Sequence, residues 1–554
     1  MRLVIQGFIC ALLVTMSSGA PVIAQSQGTP SATPGAMLEP QTLTAEHLAE
    51  LDAYIATMLE KTQIPGAAVA IVQNGQVIYE NGFGVHEVDQ PEPVTPETPE
   101  TPETLMMIGS VTKSMTATMA ATLVDAGRLR WDTPVVDLPP GFAVADPDLT
   151  QAMIVRNAFC ACTGLPQRDA DFILNSDNYT PESLIASVAA FPLAAPLGKL
   201  FQYSNQMFAI GGYAATAAAS GETDDLYDAY VRVMGEQLLA PLGMTRSTFS
   251  LEEVEASGDY AGSHGRELSG AYVPVALDDE DSFVRAVAPA GALWSSAAEM
   301  AHYVQMELGR GIAPDGTRVI SEENLGVTWQ PQVAVPAPPA AESEGLPPEL
   351  IAMGQGYALG WLAGDYFGQR LLTHSGGTFG FVSQIALLPD ADFGIVVLTN
   401  GVGAEVFTLA VQFRAFELLY DQPATGDPAI TAAIDATTAQ TAAIQVMLGT
   451  IDPESMTPYL GDYTSDTLGD VTVALQDGAL ILDVGEFQSE LQPILDESGA
   501  VSAYLMSDPP LAGQVAVMFT VIDGLPVLNV IDPTTGEQYP FTFATEISAA
   551  TPAP

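Results

Sequence analysis

The chain of 554 residues carries 67 Asp and Glu against 16 Lys and Arg, a formal net charge of −51. Charged residues are only 15% of it, against about 25% in an average protein, so the imbalance comes from missing bases and not from surplus acids. That balance favours solubility and disfavours nucleic acids and anionic membranes as partners, and beyond the N-terminus no apolar run is long enough to span a bilayer.

Arg2, the apolar stretch Leu3 to Met16, and Val22-Ile23-Ala24 before Gln25 read as a secretory signal, residues 1–24, cleaved after Ala24. The competing reading, a membrane anchor, is weaker because the run is shorter than a spanning helix. Cys10 has no small residues before it, which argues against a lipid anchor. The expectation is a secreted or periplasmic protein. Residues 25–40 are a Ser/Thr/Pro/Gly tether unable to bury a core. Thr95-Pro96-Glu97 repeats as Thr98-Pro99-Glu100 and Thr101-Pro102-Glu103, a low-complexity expansion of a surface loop.

Lys113 is one of only three lysines, and it follows Ser110 by three positions in Gly109-Ser110-Val111-Thr112-Lys113. Val111, Met115, Met119 and Leu123 recur every four residues and Gly127 supplies a stop, which predicts a helix with one buried stripe. Ser110 then opens the helix, where free backbone N–H groups favour developing negative charge. Lys113 sits one turn on, on the same face. A serine hydroxyl needs a base to become nucleophilic, and a partly buried neutral lysine can be that base. Taken alone, Ser110 reads equally well as a plain N-cap.

Further along, Cys160 and Cys162 flank Ala161. Cys-x-Cys is a poor disulfide geometry and offers too few ligands for zinc, so two packed thiols are expected, with a strained bridge as the alternative. Phe201-Gln202-Tyr203-Ser204-Asn205 precedes an Ala/Gly-rich apolar stretch from Phe208 to Ala219. Ala261-Gly262-Ser263-His264-Gly265 imitates a nucleophile elbow but lacks the strand before it and the helix after it. The histidines, at 47, 86, 264, 302 and 374, form no metal-ligating pair, so no metal or other cofactor is expected. Pro331 to Pro348 is a Pro/Ala-rich insertion. Leu372-Thr373-His374-Ser375-Gly376-Gly377 leads into Phe381–Leu388, a turn at Pro389–Asp392 and Phe393–Thr399, an antiparallel hairpin. Two glycines beside a strand edge allow a substrate close to the backbone. Residues 421–455 are an Ala/Thr-rich, partly helical connector. From 456 to 545 short strands (Val471–Leu475, Leu480–Leu482, Val515–Phe519) alternate with Asp477-Gly478 and Asp523-Gly524 turns, predicting a small antiparallel barrel with its own core and no catalytic set.

In the order Ser-x-x-Lys, Tyr-x-Asn, His-x-Gly, these motifs resemble the serine hydrolases of the class C β-lactamase and penicillin-binding-protein type, which include esterases and D-amino-acid peptidases. Ile64-Pro65-Gly66 through Val72, Gly82-Phe83-Gly84, Gly164-Leu165-Pro166, Pro241-Leu242-Gly243-Met244 and Ala288-Pro289-Ala290-Gly291 fall in the matching sequence, over about residues 45 to 420. The resemblance implies an α+β fold for residues 41–420: an antiparallel sheet flanked by helices, with a helical subdomain. The tail opening on Tyr459-Leu460-Gly461-Asp462-Tyr463 implies a lipocalin-like barrel.

It also implies roles. Ser110 is the nucleophile, and Lys113 and Tyr203 share the proton traffic, with tyrosinate a candidate base if cations lower its pKa. Asn205 holds the lysine and the substrate amide. The N–H groups of Ser110 and Gly377, beside Gly376, form the oxyanion hole. His374 stands where β-lactamases carry a lysine, and a histidine there is a weak anchor for a carboxylate. Relatives often have a histidine where this chain has Ala161. The implied activity is hydrolysis of small esters or D-aminoacyl amides and peptides through an acyl-enzyme. The alternatives are a β-lactamase or D,D-carboxypeptidase, or a catalytically weak cell-wall-binding pseudoenzyme.

Overall fold

The computed structural model describes residues 38–88, 90–93, 101–175, 179–221, 225–276, 284–338, 346–485, 488–531, 536 and 538–546. The signal, most of the tether and the first two Thr-Pro-Glu units lie outside the described residues.

The part before the connector is built on a nine-stranded sheet. In chain order its strands are β1 (Gly66–Gln73), β2 (Gln76–Glu87), β3 (Gln90–Pro93), β4 (Val333–Ala334), β5 (Gly356–Tyr357), β6 (Leu362–Tyr366), β7 (Gln369–Gly377), β8 (Val382–Leu388) and β9 (Phe393–Thr399). In space they run β3-β2-β1-β9-β8-β7-β6-β5-β4, every neighbour antiparallel. The expected hairpins 66–84 and 382–399 form its centre. Of these strands β1, β8 and β9 are buried at every position, because both of their faces are covered. On β1, Ala67, Val69 and Ile71 face the helices α1 (Ala45–Thr62) and α5 (Glu405–Leu419), while Ala68, Ala70 and Val72 face the helical subdomain.

That subdomain surrounds α2 (Thr112–Asp125), with α3 (Asn205–Ser220) and α4 (Ala297–Leu308). The sequence pattern predicted one buried stripe on α2. Instead every residue from Thr112 to Leu123 is buried, because protein lies on all sides of the helix. Apart from Lys113, its buried polar positions are Ser114 and threonines, and their hydroxyls find partners. Thr116 bonds the Pro289 carbonyl at 2.7 Å and Tyr230 at 2.8 Å, and Thr118 donates to Glu307 at 3.0 Å. A helix buried all round also buries its one lysine.

Past α5, the connector holds an exposed helix, α6 (Asp427–Met447). Eight antiparallel strands then close into a barrel: β10 (Gly461–Ser465), β11 (Gly469–Gln476), β12 (Ala479–Asp483), β13 (Gln488–Leu495), β14 (Val501–Met506), β15 (Ala516–Ile522), β16 (Leu525–Ile531) and β17 (Gln538–Glu546). They run in sequence order, with β17 pairing back to β10. Asp477-Gly478 and Asp523-Gly524 have positive φ at both positions, the two-residue turn that matches strand twist. The barrel core is not wholly its own. Leu174, from the part before the connector, is buried in it, and Ala170, Ile173 and Phe379 pack against it. Among the described residues no helix is long and apolar enough to cross a membrane.

Candidate active site

Ser110 occupies a single tight turn, Gly109–Val111, that feeds α2. Two glycines make this turn possible. Gly109 has φ +51°, and a Cβ on it would lie 2.7 Å from the Gly377 nitrogen. A Cβ on Gly376 would collide with the Ile108 carbonyl oxygen and lie 2.9 Å from the Ser110 nitrogen. The turn that carries Ser110 and the end of β7 therefore touch backbone to backbone. Ser383, on β8, ties them by donating to the Ile108 carbonyl at 2.6 Å. Space beside Gly377 is open, with no atom within 4 Å of where its Cβ would stand.

Lys113 Nζ lies 2.9 Å from Ser110 Oγ, 2.6 Å from Asn205 Oδ1 and 2.7 Å from the Ala290 carbonyl oxygen. The last two can only accept. A neutral lysine has two N–H bonds and one lone pair. With both N–H bonds directed to Asn205 and Ala290, the lone pair faces the Ser110 hydroxyl. Burial makes that neutral form accessible by lowering the Lys113 pKa to about 7, with the Asp169 carboxylate pulling the other way. The Ser110 hydroxyl also sits near the Tyr203 phenol, whose pKa it lowers. It is held by side chains and does not serve as a backbone cap. Desolvation drives the Tyr203 pKa well above the ordinary phenol value, against the lowering effect of Ser110, so Tyr203 stays protonated. The lysine amine sits 4.9 Å from the Tyr203 ring centre.

His374 on β7 is buried. Its Nδ1 lies 2.6 Å from the Ser375 carbonyl oxygen and must donate there, which leaves Nε2 to accept from the Tyr357 hydroxyl at 3.2 Å. Burial, and then the nearby Lys113, push its pKa down to about 3. His374 is therefore a neutral wall of the site and carries no charge to anchor a carboxylate.

The structure thus brings Ser110, Lys113, Tyr203, Asn205, His374, Gly376 and Gly377 into one place. Sequence reasoning missed Asp169, which accepts from Asn205 Nδ2 at 3.0 Å, along with the Ala290 carbonyl and Tyr357. With 67 acids in the chain, nothing local distinguishes one aspartate. Ser263, the elbow-like serine, is buried in a two-stranded hairpin and donates to the Val275 carbonyl at 2.7 Å.

The expectation of packed thiols at Cys160 and Cys162 is corrected: the two form a disulfide, with Cα atoms 5.1 Å apart. Ala161 between them takes φ +47°, which folds the segment back far enough to bring the sulfurs together. In the same loop the Ala161 carbonyl accepts from the Gln202 amide, and the Cys162 carbonyl accepts from the Gly198 amide, both at 2.7 Å. The loop thereby seats the segment that carries Tyr203.

A family profile described as Beta-lactamase matches residues 51–417. Penicillin-binding protein 4 of Amycolatopsis lactamdurans is 29% identical over 348 residues, 62% of this chain and 83% of that protein. The unguisins hydrolase ungD' of Aspergillus campestris is 29% identical over 353 residues, 62% of this chain but only 59% of that protein. Among solved structures, the octameric penicillin-binding protein homologue from Pyrococcus abyssi aligns over 89% of this chain and 99% of its own, with TM-score 0.56 and 22% identity. That alignment bears on fold alone.

Proposed function

Since the chain belongs to the Beta-lactamase family of serine hydrolases, we propose that it hydrolyses small uncharged esters or D-aminoacyl amides and peptides through an acyl-enzyme on Ser110. The observation that carries this reading is the Lys113 amine, held 2.6 Å from Asn205 Oδ1 and 2.7 Å from the Ala290 carbonyl oxygen, with Ser110 Oγ at 2.9 Å where the lone pair of its neutral form would point. Ser110 attacks the acyl carbon as Lys113 takes its proton. The oxyanion forms against the Ser110 and Gly377 N–H groups. The protonated Tyr203 relays a proton from Lys113 to the leaving group, and water repeats the sequence in reverse to release the acid.

Substrate preference follows from His374. β-Lactam turnover gains from a cation on the ring carboxylate, and a neutral His374 supplies none. An uncharged ester needs only the nucleophile, its base and the oxyanion hole. The N-terminal sequence adds export to the reading, so the substrate would be met outside the cytoplasm.

The test is a panel on the purified protein and on Ser110→Ala: short-chain p-nitrophenyl esters, D-Ala and D-Phe p-nitroanilides, and nitrocefin. Esters or D-aminoacyl amides should turn over well ahead of nitrocefin, and Ser110→Ala should abolish both turnover and fluorophosphonate labelling. Nitrocefin turnover equal to that of the best ester would overturn the preference and restore a β-lactamase reading.

A further inference from the structure

The barrel meets the hydrolase part beside the catalytic residues. The Arg168 guanidinium lies 5.3 Å from the ring centre of Tyr539 on β17 and 5.3 Å from that of Phe191. Its Nε pairs with the buried Asp171 at 3.2 Å, and its carbonyl accepts from Gln206 Nε2 at 2.5 Å. The next residue, Asp169, accepts from Asn205 Nδ2 at 3.0 Å and from Gln167 Nε2 at 2.5 Å. On the other side Phe379, two residues past Gly377, packs on the barrel core, as does Ala170.

An asparagine amide can sit either way round, and only one way serves Lys113. A carboxylate can only accept, so Asp169 claims the Nδ2 end and turns Oδ1 towards the lysine amine. Were Asn205 flipped, its NH2 would face the lysine N–H bonds and its oxygen would face the carboxylate, losing both contacts. The aim of the lysine lone pair at Ser110 thus depends on where Asp169 stands. Asp169 in turn belongs to a short segment held by Arg168, which Tyr539 of the barrel covers.

We propose that Asp169 is a positioning residue for the Ser110–Lys113 pair, acting through Asn205, and that the barrel holds it in place by closing Tyr539 over Arg168. This rests on the nucleophile and base assignment above. The barrel is then one wall of the catalytic apparatus.

The test uses the full chain and two readouts: the rate of fluorophosphonate labelling at Ser110, and the pH dependence of that rate. The charged or titratable groups facing the lysine amine are Asp169, Tyr203 and His374. Asp169→Asn keeps the shape and an acceptor oxygen but loses the charge and the fixed amide direction. It should slow labelling by about tenfold or more. Its acid limb should move to lower pH, because the carboxylate that favours protonated Lys113 is gone. Tyr539→Leu should move both readouts in the same direction by less, and Tyr539→Phe, which keeps the ring face, should restore most of the loss.

Asp169→Asn with wild-type rate and an unmoved acid limb would overturn the positioning role. A slower rate that tracks a fall in melting temperature with the limb unmoved would overturn it equally, as plain destabilisation. Tyr539→Leu indistinguishable from wild type would overturn the part assigned to the barrel. Ser110→Ala separates this idea from its premise. If that variant still labels, the nucleophile assignment fails. If it is silent while Asp169→Asn labels normally, only the positioning role fails.

Discussion

A lysine that works as a base must be neutral when substrate arrives, and Lys113 reaches that state by burial. Its pKa falls from 10.5 to about 7, so the competent fraction grows as pH rises through 7. The expected kcat/KM profile therefore has an acid limb near pH 7, measured by ester hydrolysis across pH 5 to 9. Lys113→Arg should be as inactive as Lys113→Ala, because arginine keeps the charge but does not deprotonate. An arginine variant at near wild-type rate would make Lys113 an electrostatic support and leave Tyr203 as the base. The same burial has a cost in stability. The unfolded chain holds this proton up to about 10.5, whereas the folded chain releases it above about 7. Between those values the unfolded state binds more protons, so stability rises with pH and the penalty is complete below pH 7. Lys113→Met should therefore be inactive yet more stable, by roughly 1–3 kcal/mol near neutral pH and by less near pH 10, in thermal unfolding.

Among the elements, the 160–162 loop matters for what it holds. Its carbonyls bond the amides of Gln202 and Gly198, on the segment that ends in Tyr203. A disulfide across so short a loop restricts little of the unfolded chain, and the ring-closure argument gives about 1–2 kcal/mol. The replacement Cys160→Ala with Cys162→Ala should accordingly leave a folded protein with a slightly lower melting temperature. Its turnover should fall more than its stability does, because Tyr203 loses its seat. Denatured without reductant, the protein should take up no thiol alkylating reagent at Cys160 or Cys162. Uptake at both cysteines would remove the bridge and this prediction with it.

At the scale of the whole molecule, the hydrolase part and the barrel share core residues. Cutting the chain at about residue 450 would expose Leu174, which is 4% accessible, along with Ala170, Ile173 and Phe379. It would also uncover Arg168, next to Asp169. The truncated protein is expected to melt at a lower temperature and to label at Ser110 more slowly than the full chain. A truncated form with unchanged melting and labelling rate would mean that the barrel is a detachable module, as its own strand pattern suggests.

Spacing of side-chain types along the chain was enough to pick out the Ser110–Lys113 turn and the two central hairpins, and the order of the motifs led to Tyr203, Asn205 and the glycine pair, which the fold brings beside Ser110. Those features are local: one helical turn separates Ser110 from Lys113, and short apolar runs bounded by turns make buried strands. Three of the eight barrel strands were legible for the same reason. Strands such as Gln488–Leu495, with Ser, Glu, Gln and Pro among their residues, gain their place from closure and not from their own pattern. What only tertiary structure decided was every property that depends on surroundings. Burial on all sides lowers the Lys113 pKa to about 7 and that of His374 to about 3. A positive φ at Ala161 brings two cysteines together across a spacing that argues against it. Packing across 36 positions of sequence selects Asp169, out of many carboxylates, to orient Asn205. Desolvation and direction are set by neighbours distant in the chain, and no local pattern of residues encodes them.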